Sequence, residues 1–176
     1  MTTANTSTER LLWSASEEPA ALWQALHDRV MGGRSEGAAR PMVPSVSEPA
    51  HLVFAGQISR DNGGGFASFR LGLRTGVAIG AAQTALLTLR GDGGPFKLCL
   101  HRQSDWDGVQ WQADFRAPDT WTTLALPLAM FEPRRRGRPM SERPLAGNDT
   151  LLQIGLMTVR PEPGPFWLAV AHIELV

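Results

Sequence analysis

The 176-residue chain has one cysteine, no tyrosine and a single lysine, and its 17 basic residues are matched by 17 acidic ones. The lone Cys99 excludes an intramolecular disulfide and any zinc site built on several cysteines. It also points to a reducing compartment. Cys99 lies in a strand-like run over residues 96–100, the setting of a buried, inert thiol rather than a nucleophile. Zero net charge argues against a strongly basic nucleic-acid binder and against an acidic solvating tail. No apolar stretch approaches the ~20 residues of a membrane span. Residues 124–130 are apolar, but they are short and contain Pro127. The first ten residues are polar and no apolar h-region follows, so no secretory signal is expected. With one arginine against three glutamates, the first 20 residues are also unlike a transit peptide. Residues 1–10 are expected to be a flexible tail and 11–176 one domain. The expected location is the cytoplasm, with peripheral attachment to the inner membrane left open.

Glycine and proline are abundant instead, at 18 and 13 residues. They follow no period. They fall between short apolar runs, the arrangement of many turns joining many strands. Residues 20–26 carry Leu22, Trp23 and Leu26 at i, i+1 and i+4, and this spacing predicts one short N-terminal helix. From residue 51 onward the period becomes two. Residues 51–59 place Leu52, Phe54 and Ile58 on one face. Residues 66–74 place Ala67, Phe69, Leu71 and Leu73 opposite Ser68 and Arg70. Residues 109–116 set Val109, Trp111, Ala113 and Phe115 against Gln110, Gln112, Asp114 and Arg116. Further strands are expected over 84–90, 96–102, 121–128, 151–159 and 166–175, with a strong turn signal at Gly91-Asp92-Gly93-Gly94-Pro95. About eight strands with little helix describe an all-β, antiparallel β-sandwich of jelly-roll type. Residues 131–150 read as one long loop, a length that usually carries function or lacks order.

Three segments stand out. One is Asp28-Arg29-Val30-Met31-Gly32-Gly33-Arg34-Ser35. Another is Phe54-Ala55-Gly56-Gln57-Ile58-Ser59 with Asn62-Gly63-Gly64-Gly65-Phe66-Ala67-Ser68-Phe69-Arg70. The last is Gly164-Pro165-Phe166-Trp167-Leu168. Together, over about residues 20–176, they resemble the complex I intermediate-associated protein 30 family. The resemblance implies a galactose-binding-like β-sandwich. It also implies a role in assembling respiratory complex I, NADH:ubiquinone oxidoreductase, by binding a protein partner such as a complex I subunit or assembly intermediate. The chain departs from the family pattern at Gly94-Pro95-Phe96, where arginine and tyrosine often follow Gly-Asp-Gly.

The residues themselves leave several functions open. Asp28 and Arg70 are expected to meet, either as a pin for the 28–35 loop or as part of a binding floor with Ser35, Asn62 and Ser68. The resemblance adds Met31, Gly32, Gly33, Gly64 and Phe66 to the candidate ligand or partner surface. Residues 132–143 hold five arginines and two glutamates, and Arg136 and Arg138 are candidates for docking a partner or an acidic surface. A carbohydrate- or small-ligand-binding module is the alternative that the sandwich class brings to mind. RNA binding through the arginine-rich loop is a further alternative, with nucleic acid the less favoured partner. No nucleophile elbow, zinc spacing or phosphate loop is present, so no catalytic residue, metal or cofactor is expected. Asp105 and Asp107 flank Trp106 in a turn and are read as solvated rather than as calcium ligands.

Overall fold

A computed structural model describes residues 10–18, 22–28, 32–42 and 44–176. Two antiparallel sheets enclose one apolar core. Chain order gives β1 (Arg10–Ser14), β2 (Gln24–Ala25), β3 (Glu36–Met42), β4 (His51–Ile58), β5 (Phe66–Ala78), β6 (Thr84–Gly91) and β7 (Pro95–His101). It continues with β8 (Gln110–Arg116), β9 (Thr122–Pro127), β10 (Glu132–Arg135), β11 (Arg138–Pro139), β12 (Thr150–Val159) and β13 (Gly164–Leu175). One sheet runs β3-β4-β13-β6-β9, with β1 paired to the far end of β13. The other runs β11-β10-β8-β7-β12-β5-β2. All eight expected strands are present, and their alternation is the one the sequence predicts. Leu52 and Phe54 of β4, Leu87 and Leu89 of β6 and Ile173 of β13 meet Phe69, Leu71, Leu98, Leu100 and Ile154 of the other sheet. Strands with one apolar face can hide it only against another such face, so the two sheets close on each other.

Five strands lie beyond the predicted set, and three of them, β2, β10 and β11, replace an expectation. The short helix over residues 20–26 does not form among the described residues, of which 19–21 are not part. Gln24 and Ala25 instead pair with Arg70 and Phe69 of β5. Tertiary packing decides this segment. Trp23 stacks edge-on between Trp13 (5.5 Å between centroids) and Phe54 (4.9 Å), and Phe54 meets Phe69 at 5.1 Å. Burying Trp23 in this aromatic row outweighs a two-turn helix, which is marginal on its own.

The long loop is also corrected. β10 pairs with β8 and β11 folds back on β10. Their two-residue turn is Arg136-Gly137, both at positive φ (50° and 76°), the geometry that matches strand twist in a hairpin. The rest of the segment is tied down by Asp149. Its carboxylate receives both terminal nitrogens of Arg143 (2.6 and 2.9 Å), the Ala146 N–H (2.8 Å) and Arg102 (3.2 Å). The Trp111 indole N–H donates to the Arg143 carbonyl, and the Arg102 guanidinium lies 4.1 Å over the Trp111 ring.

The Arg143 hydrogen bond foremost holds Asp149 down, from 3.8 to about 2. Its native pKa therefore lies below its unfolded value. The stability it contributes is complete above pH ~4 and is lost as pH falls toward ~2. Urea midpoints measured across this window should fall for the wild type. In Asp149→Asn the midpoint should start lower at neutral pH and lack this component of the acid loss.

The edge pair β3–β4 imposes a second constraint. A Cβ on Gly56 would stand 1.9 Å from the Glu36 carbonyl oxygen, whereas one on Gly72 would meet nothing within 4 Å. Gly56→Ala should cost about 3 kcal/mol or more, since backbone must move. Gly72→Ala should stay within about 0.5 kcal/mol. Paired denaturant titrations test the contrast.

Candidate functional site

Twelve residues were expected to form a ligand or partner surface, and they fall into separate places. Met31 lies outside the described residues. Asp28, Gly33, Ser35 and Gly64 close around one carboxylate. Asp28 is fully buried. Its Oδ1 accepts the Ser35 N–H at 2.9 Å, and its Oδ2 accepts the Ser35 hydroxyl at 2.6 Å and the Gly65 N–H at 2.8 Å. The Ser35 hydroxyl oxygen in turn accepts the Ser59 N–H at 3.0 Å. Burial pushes the Asp28 carboxyl upward. The hydrogen bonds from Ser35, Gly65 and Phe66 outweigh it, and Asp28 ends below the usual carboxylate range. Gly33 and Gly64 are required by this packing, because a Cβ on either would come within 2.5 Å of the Asp28 carboxyl. Asn62, itself at positive φ, donates to the Gly32 carbonyl at 3.1 Å. The Ser35 hydroxyl and the Ser35 and Gly65 N–H groups all point inward to the Asp28 carboxylate. The cluster is a fastening between the 28–35 and 59–66 loops.

The expected Asp28–Arg70 pair does not form. Arg70 leaves the outer face of β5 and its guanidinium donates to the Trp106 carbonyl at 2.5 Å. Alternation along β5 requires this: Ala67, Phe69 and Leu71 are core residues, so Ser68 and Arg70 face away. Asp28 instead sits beside the entry to β5. Its neighbour His27 accepts the Ser68 N–H at Nδ1 and donates from Nε2 to the Gly37 carbonyl (3.2 and 3.1 Å).

The arginine-rich segment is not a free cationic patch. Arg134 pairs with Glu132, and Arg143 with Asp149. Arg135 and Arg136 both grip Asp107, Arg136 through two bonds of 2.7 and 2.9 Å. Those bonds hold Asp107 below the usual carboxylate range despite some desolvation. Arg138, exposed on β11, has no carboxylate partner among the described residues.

The outer face of the seven-stranded sheet holds what the sequence reading missed. Register aligns Gln24, Arg70, Gly155, Cys99 and Gln112 in one row across five strands. Gly72, Gln153 and His101 form the next row. Residues 102–109 fold back over this floor, held by Arg70 to Trp106 and by the Gln153 amide to the Gln103 carbonyl (3.0 Å). The polar side chains beneath are therefore buried, His101 to 1% exposure. Neither ring nitrogen of His101 has a hydrogen-bond partner. Burial, with the Arg70 charge, lowers His101 to about 3, so the ring is neutral. Burial pushes the Cys99 thiol up to about 12, which leaves it an inert thiol.

Trp106 stands 59% exposed at the crest of the overlying loop. It walls two clefts. The larger, about 680 Å³, is lined by Gln24, Leu26, Arg70, Gly72 and Gln153 among others. The smaller, about 450 Å³, includes Gln103, Asp105, Asp107, Arg135 and Glu142. An exposed indole among planar hydrogen-bonding groups can hold a ligand by stacking and hydrogen bonds. No group of three or more potential metal ligands occurs among the described residues. The alternation of Gln110 and Gln112 against Trp111 was a usable signal for this face. The loop that covers it was not readable, because nothing in residues 102–109 reports where that loop folds.

The sequence model of the complex I intermediate-associated protein 30 family matches residues 13–170. No curated protein matches the chain. Among solved structures, the family 11 carbohydrate-binding module of the cellulosomal cellulase Lic26A-Cel5E of Clostridium thermocellum is similar, with TM-score 0.69 and 15% identity over 96% of this chain and 94% of that one. The Clostridium thermocellum family 11 module in complex with a β-1,3-1,4-mixed-linked tetrasaccharide gives TM-score 0.66 at 14% identity, covering 96% and 95%. An exo-β-agarase gives TM-score 0.58 at 8% identity, over 95% of this chain and 25% of that one. These likenesses establish a carbohydrate-binding-module type of jelly roll as the fold. No described helix is long and apolar enough to cross a membrane.

Asp28→Asn places an amide N–H₂ against N–H and O–H donors. It should cost about 2–4 kcal/mol, the loss of several buried hydrogen bonds to one carboxylate. Equilibrium unfolding measures the loss. A change below about 0.5 kcal/mol would mean that Asp28 does not fasten the two loops.

Proposed function

Because the chain belongs to the complex I intermediate-associated protein 30 family, we propose that it is a non-catalytic binding domain. It takes a protein partner during assembly of respiratory complex I, and it does so through the Trp106 face of the seven-stranded sheet. The observation that carries the choice of face is the exposed Trp106 between two clefts that both carry hydrogen-bonding side chains. A large, rigid aromatic beside arginine and amide groups is the usual make-up of an interface anchor. Asp28, Ser35 and the glycines around them do not support a rival surface, since they are occupied in the fold.

A carbohydrate ligand is the second reading, favoured by the same indole flanked by Gln24, Gln103 and Gln153 and by the modules that share the fold. RNA binding loses its support, because four of the five arginines of residues 132–143 have carboxylate partners.

The test is capture of partners from membranes of the native host by the tagged full chain. NADH:ubiquinone oxidoreductase subunits should be retained, and Trp106→Ala should reduce retention by about tenfold or more. Equal retention by Trp106→Ala would remove this face from the reading. Tryptophan fluorescence that responds to a β-1,3-1,4-linked tetrasaccharide, with no subunit retained, would replace the protein partner by a glycan.

A further inference from the structure

We propose that the larger cleft recognises a carboxylate group, with Arg70 as its receptor. This deepens, and rests on, the reading of the Trp106 face as the binding surface. Arg70 is half-buried on the cleft floor and has no ion-pair partner among the described residues. One nitrogen donates to the Trp106 carbonyl, and the other donors have no acceptor among the described residues. Besides the Cys99 thiol, the group that acts on Arg70 electrostatically is the carboxylate of Asp107, and both of its oxygens are committed to Arg135 and Arg136. A desolvated guanidinium without a counter-charge is costly in a fold that pairs most of its other buried charge. A carboxylate supplies both the charge and the planar, two-pronged acceptor that fits the guanidinium fork.

A second, independent observation points to the same place. His101 is 1% exposed and its two ring nitrogens are unpartnered. It lies across Gln153 from Gly72, one row from Arg70. Gly155 sits between the Arg70 and Cys99 strands and bears no side chain there. A Cβ on it would stand 3.7 Å from His101 Nε2. Beneath the floor beside Arg70 thus lies an orphaned polar ring, closed off from the cleft, the kind of group that native structures leave unpaired only with a reason. The exposed Trp106 face completes the site for the carbon frame that bears the carboxylate.

The same chemistry is offered by a free dicarboxylic acid and by an acidic side chain of a partner protein, and the probes separate them. The full chain is titrated with glutarate, with a blocked peptide carrying one glutamate, and with the same peptide carrying glutamine. The readouts are the Arg70 Nε–Hε and Trp106 indole resonances. The glutamate peptide is expected to shift both and the glutamine peptide neither. Arg70→Lys should weaken binding about tenfold, as loss of the fork predicts. Arg70→Gln should abolish it while the amide resonances of the Asp28 loops stay in place, which shows that the fold is intact. Response to glutarate without the peptide assigns the carboxylate to a free acid. The proposal is overturned if the glutamine peptide shifts these resonances as strongly, if Arg70→Gln binds like the wild type, or if no probe shifts them.

The membrane capture separates this failure from failure of the binding face. Partner lost by Trp106→Ala but kept by Arg70→Gln leaves the face standing and removes the carboxylate. Partner kept by Trp106→Ala removes the face, and the carboxylate proposal that rests on it.

Discussion

One buried carboxylate organises the front of this fold. Asp28 has no cation beside it among the described residues and stays ionised because the Ser35 hydroxyl and several backbone N–H groups converge on it. Such an arrangement tolerates no intrusion, since any displaced donor becomes an unpaired buried group. The chain around it is therefore nearly dictated. Ser35 is needed as both donor to Asp28 and acceptor from Ser59. Gly33 and Gly64 are needed because a Cβ would strike the carboxyl. The loop from β4 to β5 must turn through Asn62 and Gly63 at positive φ to present the Gly65 N–H. Asp28 also precedes the loop leading to β3, so it binds the edge of one sheet to the entry strand of the other.

The same device recurs. Asp92 accepts the Gly94 and Trp167 N–H groups and pairs with Arg160, which lies over Phe96. Asp149 gathers Arg143, Arg102 and the Ala146 N–H. Asp107 fixes the tip of the β10–β11 hairpin through Arg135 and Arg136. The equality of 17 acidic and 17 basic residues is in part the result of these pairings. Arginine suits them because one guanidinium can bind in a fork and still stack on a ring. Arg102 stacks on Trp111 while its two terminal nitrogens reach Asp149 and Glu142.

The strands that were legible are those with strict alternation over an apolar face, such as residues 109–116. β10 was not, because Glu-Pro-Arg-Arg has no apolar alternation; its place is set by pairing to β8 and by the hairpin turn. The helix expected near Trp23 fails for the opposite reason. Its spacing is helical, but the pull on Trp23 comes from Trp13 and Phe54, both distant in sequence. Arg70 was correctly read as leaving the face opposite Phe69. Its partner was not readable, because that partner is a backbone carbonyl in a loop 36 residues later. Side-chain alternation is a local property of a strand, whereas burial of an outer face depends on which loop returns over it. His101, Gln112 and Gln153 escaped notice for that reason.

The glycines that mark the family and the residues that line the clefts thus belong to different tasks. Asp28, Gly33, Ser35 and Gly64 are consumed by the fold, and none presents a free donor. Trp106, Arg70 and His101 are not consumed. Trp106 and His101 lie outside the three segments that carry the resemblance, and Arg70 stands at the last position of one. A chain could keep every element of the signature and exchange the contents of residues 101–109 without disturbing Asp28. Membership of the family therefore fixes the scaffold firmly, and the proposed recognition rests on the cleft rather than on the signature. There the unpaired charge of Arg70 is the most specific statement the molecule makes.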